Sequence, residues 1–139
     1  MVADPKIERL KKVPIFSRCS GAELRVLAAN TDEVTLPAGR KLITEGELNH
    51  TFFVLTQGEA EVEIGGKTVG TMGPGDFFGE ISMLERGQAT ATVTSKSRVD
   101  ALVMSHAQFR DAVRAQEDIA LKVIEAMAER LRRSGDNDL

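Results

Sequence analysis

Among its 139 residues the chain has one cysteine, two histidines, and no tryptophan or tyrosine. A single thiol, Cys19, excludes an internal disulfide and any multi-thiolate metal site. His50 and His106 are too few for a histidine-built metal centre, and nothing at their spacing matches the His-x-His pair of a metal-binding jelly roll. No motif pairs Cys19 with a base, so nucleophilic catalysis has no candidate. The six phenylalanines are the only aromatics, which leaves little stacking surface of the kind single-stranded nucleic-acid binders use. No apolar run approaches the roughly 18–20 residues that cross a bilayer. The opening Met1-Val2-Ala3-Asp4-Pro5-Lys6 has charges where a signal peptide has its apolar stretch. A soluble, cytoplasmic protein with no membrane partner is expected.

A basic stripe is missing too. Eighteen Lys and Arg stand against twenty-one Asp and Glu, a formal charge of −3. By zone this is +3 over residues 1–30, −5 over 31–100 and −1 over 101–139. Duplex binding needs concentrated positive charge, and the middle of the chain is acidic, so no DNA binding is expected. What is present is 42% hydrophobic and 28% charged residues, the proportions of a globular chain. The length fits one domain spanning 1–139.

Three zones follow one another. Residues 1–30 read as helical: Ile7, Leu10 and Val13 recur at helical spacing until Pro14. Ser20-Gly21-Ala22-Glu23 is a capping box opening a second helix, whose apolar stripe would be Ala22, Leu24, Leu27 and Ala28. Residues 31–105 switch to strands and turns. Glu59-Ala60-Glu61-Val62-Glu63-Ile64 alternates, placing Ala60, Val62 and Ile64 toward a core and the glutamates toward water. Glycine-bearing turns punctuate about eight short strands, the pattern of a compact antiparallel sandwich or roll. Residues 106–134 are helical again, with a second capping box at Ser105-His106-Ala107-Gln108. A long helix over 117–133 carries Ile119, Val123, Met127 and Leu131 in one stripe, with Ala120, Ile124 and Ala128 beside it. Residues 135–139 form a polar tail expected to fray. The fold class is therefore α+β, with helices flanking an antiparallel roll.

The stretch that carries chemistry is 75–93, Gly75-Asp76-Phe77-Phe78-Gly79-Glu80-Ile81-Ser82-Met83-Leu84-Glu85-Arg86-Gly87-Gln88-Ala89-Thr90-Ala91-Thr92-Val93. It reads as a turn, a glycine allowing close backbone approach, one short helical turn, a loop and a strand. A helix amino end offers unpaired N–H groups to an anion. Glu80 beside it fits a ligand offering both a phosphate and a sugar hydroxyl, the carboxylate accepting from the latter.

This stretch resembles the phosphate-binding cassette of the cyclic-nucleotide-binding domains found in the cyclic AMP receptor protein, protein kinase regulatory subunits and cyclic-nucleotide-gated channels. The similarity lies in Phe78-Gly79-Glu80-Ile81-Ser82-Met83-Leu84 and in Ala91-Thr92-Val93. It extends upstream to Leu36-Pro37-Ala38-Gly39-Arg40-Lys41-Leu42-Ile43-Thr44-Glu45-Gly46-Glu47 and to Phe52–Val62. The resemblance implies an antiparallel β-roll (a double-stranded, jelly-roll-like β-helix) followed by a hinge helix and a lid helix. It also implies a non-enzymatic regulatory module with cAMP or cGMP as candidate ligand and no other cofactor. The ligand site it implies comprises Gly79, Glu80, Ile81, Ser82, Arg86, Ala89, Thr90 and Arg130.

One departure bears on affinity. Aligned without gaps, Gln88 stands at the family's cassette proline and Ala89 at the arginine that pairs with the cyclic phosphate. Asn49-His50 replaces the usual Gly-Asp after Gly46. Arg86, three residues before Ala89, is either a substitute anchor or a solvated loop arginine beside Glu85. Thr90 is either a phosphate or guanine contact or an ordinary strand threonine. Glu80 is a ribose contact or a helix cap, and Arg130 stacks on the base or balances its helix's carboxyl end. Met127 and Leu131 could cap the base or form a dimer seam. Two functions stay open: a weak cyclic-nucleotide module, or a fold that has lost the nucleotide and acts through a protein partner or homodimer. The chain ends with the lid helix, leaving no room for a helix-turn-helix, and no catalytic constellation is found.

Overall fold

A computed structural model describes residues 4–135. Positions 136–139 of the expected tail and the first three residues lie outside the described residues, while Gly135 is the last residue of the final helix. Five α-helices run α1 Pro5–Lys11, α2 Gly21–Ala29, α3 Glu80–Glu85, α4 His106–Ala115 and α5 Asp118–Gly135. Eight strands lie between α2 and α4: β1 Asp32–Leu36, β2 Lys41–Ile43, β3 Thr51–Gln57, β4 Ala60–Ile64, β5 Lys67–Met72, β6 Phe77–Phe78, β7 Thr92–Ser95 and β8 Val99–Ser105. The chain divides into two compact units: Thr31–Phe109, and the residues up to Asn30 together with those from Arg110 onward.

In the Thr31–Phe109 unit the strands form two four-stranded antiparallel sheets, ordered β1-β8-β3-β6 and β2-β7-β4-β5. Neighbours in each sheet are mostly non-consecutive in sequence, as expected of a roll in which successive strands alternate between layers. The core between the layers is built from Phe53 and Leu55 of β3, Ala60 of β4, Phe78 of β6, Val93 of β7, and Val99 and Ala101 of β8. Phe53 and Phe78 face each other across the β3–β6 pair, their rings stacked at 4.8 Å between centroids. Removing side chains of this size from water is worth about 1.5–3 kcal/mol each.

The alternation in β4 holds for Ala60, which is fully buried, and for Val62, which packs on the core. Ile64 does not follow and is 48% exposed. β7 pairs with β4 only as far as Glu63, so Ile64 lies past the end of that neighbour, next to the Gly65-Gly66 turn. Both turn glycines have positive φ, which suits the twist of a two-residue hairpin.

The other unit is helical. Asp4 caps α1 by accepting from the Lys6 N–H at 2.9 Å, with Pro5 as the first helical residue. Pro14 ends the first helical run and opens a short 3-10 turn, Pro14–Phe16. The Ser20 capping box forms: the Ser20 hydroxyl accepts from the Glu23 N–H at 3.2 Å, and the Glu23 carboxylate accepts from the Ser20 N–H at 2.8 Å. Leu24, Leu27 and Ala28 are buried, whereas Ala22 is exposed. Ala22 stands two residues before Leu24, about 200° around the helix. On α5 the buried face is Ile119, Val123 and Ala126. Met127 is half-buried, and Leu121, Ile124, Ala128 and Leu131 are exposed.

Candidate functional site

The segment 75–93 folds as strand β6, a left-handed glycine, helix α3 and a loop into β7. Gly79 is the N-cap of α3 at φ +83°. A Cβ there would lie 2.4 Å from the Thr51 carbonyl oxygen and 3.1 Å from Asn49 Nδ2, so only glycine fits both the backbone angle and the space. Asn49 holds that neighbouring chain in place. Its amide Nδ2 donates to the Thr51 carbonyl at 3.0 Å, and its own N–H donates to the Gly87 carbonyl at 3.0 Å. The cap glycine has no side chain to satisfy the first N–H groups of α3.

At the other end of α3, Arg86 adopts φ +57° and its N–H donates to the Ser82 carbonyl. It is the one non-glycine residue with positive φ among the described residues. The Met83 carbonyl in the last turn faces His106 Nδ1 at 2.7 Å, so that ring nitrogen carries the proton. His106 is therefore half-buried and engaged, because the chain leaving β8 brings it against α3; His50 is exposed. The second capping box also forms, with Ser105 N–H donating to Gln108 Oε1 at 2.8 Å and Gln108 N–H to Ser105 Oγ at 3.1 Å.

Ala89 is buried, at 6% exposure, and tied through its backbone. Its N–H donates to the Glu47 carbonyl and its carbonyl accepts from Gly46, both at 2.9 Å. Beside it opens a cavity of about 320 Å³, at the lower end of the range that takes small molecules. Its apolar walls include Ile43, Val62, Met72, Phe77 and Val93. Of the residues expected to bind ligand, Gly79, Glu80, Ile81, Ser82, Ala89 and Thr90 line it. Arg86 does not; it is exposed at the end of α3 remote from Gly79. Arg130 belongs to α5 in the helical unit and is exposed. Glu85 and Gln88 also line the cavity, though neither was expected as a contact. Glu85 lies three residues after Ser82, on the same face of a helix, which is the signal that could have found it. Glu80 and Glu85 are the only charged residues of the lining.

Elsewhere the chemistry is structural. Burial, with help from the nearby Glu23 carboxylate and against the opposing Lys122, pushes the Cys19 thiol up to about 11, which keeps it protonated and unreactive near neutrality. Among the described residues no cluster of three or more His, Cys, Asp or Glu could hold a metal, and no helix is long and apolar enough to cross a membrane.

The sequence that folds into this roll, left-handed glycine and short helix is matched by a family profile. The cyclic nucleotide-binding domain profile aligns with residues 33–116, and the chain belongs to that family. A cAMP-dependent protein kinase regulatory subunit from Yarrowia lipolytica is 42% identical over 93 residues, covering 65% of this chain and 24% of the relative. A CRP-like cAMP-activated global transcriptional regulator from Mycobacterium tuberculosis is 27% identical over 137 residues, covering 94% of this chain and 60% of the relative. This chain thus spans less than two thirds of either protein. Among solved structures, the N-terminal domain of a transcriptional regulator from Streptomyces coelicolor superposes with a TM-score of 0.85 at 27% identity, covering 92% of this chain and 95% of that one. The regulatory domain of Toxoplasma gondii PKA, crystallised with cAMP, gives a TM-score of 0.69 at 27% identity, covering 82% and 46%.

Proposed function

We propose that the chain is a regulatory module whose roll cavity takes a cyclic nucleotide, cAMP or cGMP, with low affinity. The observation that carries this reading is the cavity itself, edged by Gly79 and α3 and carrying Glu80 and Thr90 on its wall. In this reading Glu80 accepts from a ribose hydroxyl and the open amides at the start of α3 meet the phosphate. Relatives named for cAMP, and a structural neighbour crystallised with it, support the ligand class. Low affinity follows from Ala89. An absent bidentate arginine–phosphate contact costs about 2–5 kcal/mol, or roughly 30- to several-thousand-fold.

Calorimetric titration with cAMP and cGMP tests the reading. Weak, saturable binding that Glu80→Ala abolishes is the expected result. Absence of binding by both the natural chain and Ala89→Arg at millimolar ligand ends it.

A second reading, a self-associating module that works without nucleotide, is favoured by one feature of α5. Leu121, Ile124, Ala128 and Leu131 are exposed and recur three and four residues apart, the spacing of a helix seam. Sedimentation of the chain beside Leu131→Glu separates the two: a dimer that this charge dissociates supports the seam, and a monomer at all concentrations removes it.

A further inference from the structure

The fifteen residues lining the roll cavity include two carboxylates, Glu80 and Glu85, and no lysine, arginine or histidine. Neither carboxylate is ion-paired among the described residues. Arg86, the cation adjacent to Glu85 in sequence, is exposed and absent from the lining. The sequence around the cavity adds to the same sign, since residues 31–100 carry a formal −5. Ser82, Gln88 and Thr90 supply neutral donors and acceptors, and Phe77, Met72 and Val62 an apolar wall.

A cyclic phosphate brings one negative charge into this lining. A nucleoside brings the same base and ribose without it, and its sugar hydroxyls are donors, which is what two acceptor-only carboxylates require. Like charges in a partly desolvated cavity repel more strongly than in bulk water, so the lining sets uncharged ligands above anionic ones. We infer that the cavity prefers an uncharged nucleoside to the corresponding cyclic nucleotide. The inference rests on the reading that base and ribose occupy this cavity, and it reorders the ligands within it.

The test is calorimetric titration of the natural chain with adenosine, guanosine, cAMP and cGMP at about 25 mM and at about 300 mM salt. The expected result is a nucleoside dissociation constant at least tenfold below that of its cyclic nucleotide at low salt. Raising salt should narrow the gap by improving the nucleotide alone, because screening weakens the repulsion. Glu85→Gln, which removes the charge and keeps an acceptor oxygen, should narrow the gap severalfold by strengthening nucleotide binding relative to nucleoside binding. Ala89→Arg, checked for folding by its thermal melt, should invert the order. Cyclic nucleotide binding equal to or tighter than nucleoside binding by the natural chain overturns the inference while leaving the ligand-binding reading intact. Failure of all four ligands with the natural chain overturns the inference, and their failure with Ala89→Arg as well overturns both.

Discussion

Two pairs of acidic side chains, Glu23 and Glu129 in the helical unit and Glu80 and Glu85 in the roll, are treated in opposite ways. In the helical unit Glu23 is 4% exposed, and its Oε1 accepts two hydrogen bonds. Lys122 of α5 donates to it, and so does the Ser20 N–H, and these hydrogen bonds hold its carboxyl below the ordinary 4.5. Lys122 is raised in return, chiefly by Glu23. Glu129 is likewise lowered, first by Arg18 at 3.0 Å and then by Arg133. In the roll, Glu80 and Glu85 face a cavity and have no ion-pair partner among the described residues. A carboxylate answered within the chain ties helices together. One left unanswered at a cavity wall is available to a donor arriving from outside.

That contrast can be broken from either side. The largest effect is expected at the boundary of the cavity: Gly79→Ala should destabilise the roll by about 3 kcal/mol or more, from the positive φ and the approach to Thr51, and should abolish ligand binding. Thermal melts and titration read both. Next, Glu23→Ala should cost roughly 2 kcal/mol through loss of the capping box and the Lys122 pair, read by denaturant unfolding, with ligand affinity unchanged. The same carboxylate makes stability depend on acid. Because its folded value lies below its unfolded one, its contribution is complete above about 4.5 and disappears as pH falls below that value. The gap in unfolding midpoint between the natural chain and Glu23→Gln should therefore be constant from pH 7 to about 5 and shrink below 4.5. Smallest in stability is Glu80→Gln, expected to stay within about 0.5 kcal/mol of the natural chain while weakening any bound ribose tenfold or more. Equal losses of stability in Glu23→Ala and Glu80→Gln would erase the contrast.

Much of the fold was legible because its signals are local. Both capping boxes are separated by three residues, and both form as read. Glycine turns and alternating strands announced an eight-stranded roll, and Gly79, Glu80, Ile81, Ser82, Ala89 and Thr90 of the cassette line the cavity while Arg86 does not. The misreadings have a common physical origin, which is that periodicity names a face but not what covers it. Ile64 continues its strand's alternation past the end of its neighbour β7. Ile124 and Leu131 continue an apolar stripe and yet are exposed. His106 became an α3 contact, and Glu23 met Lys122, ninety-nine residues away, through packing that no local pattern encodes.

Position 89 has a consequence for how such a domain changes over generations. Its N–H and carbonyl are both bonded to the Gly46–Glu47 segment, and neither bond involves the side chain. Those two backbone bonds do not depend on the side chain, while a cation carried there would offset the charge that Glu80 and Glu85 present to a ligand. One codon would therefore shift the charge facing a ligand while these two backbone bonds stay in place, the buried side chain being what the fold must make room for. The route is open in both directions, to a lineage under selection as much as to a protein engineer.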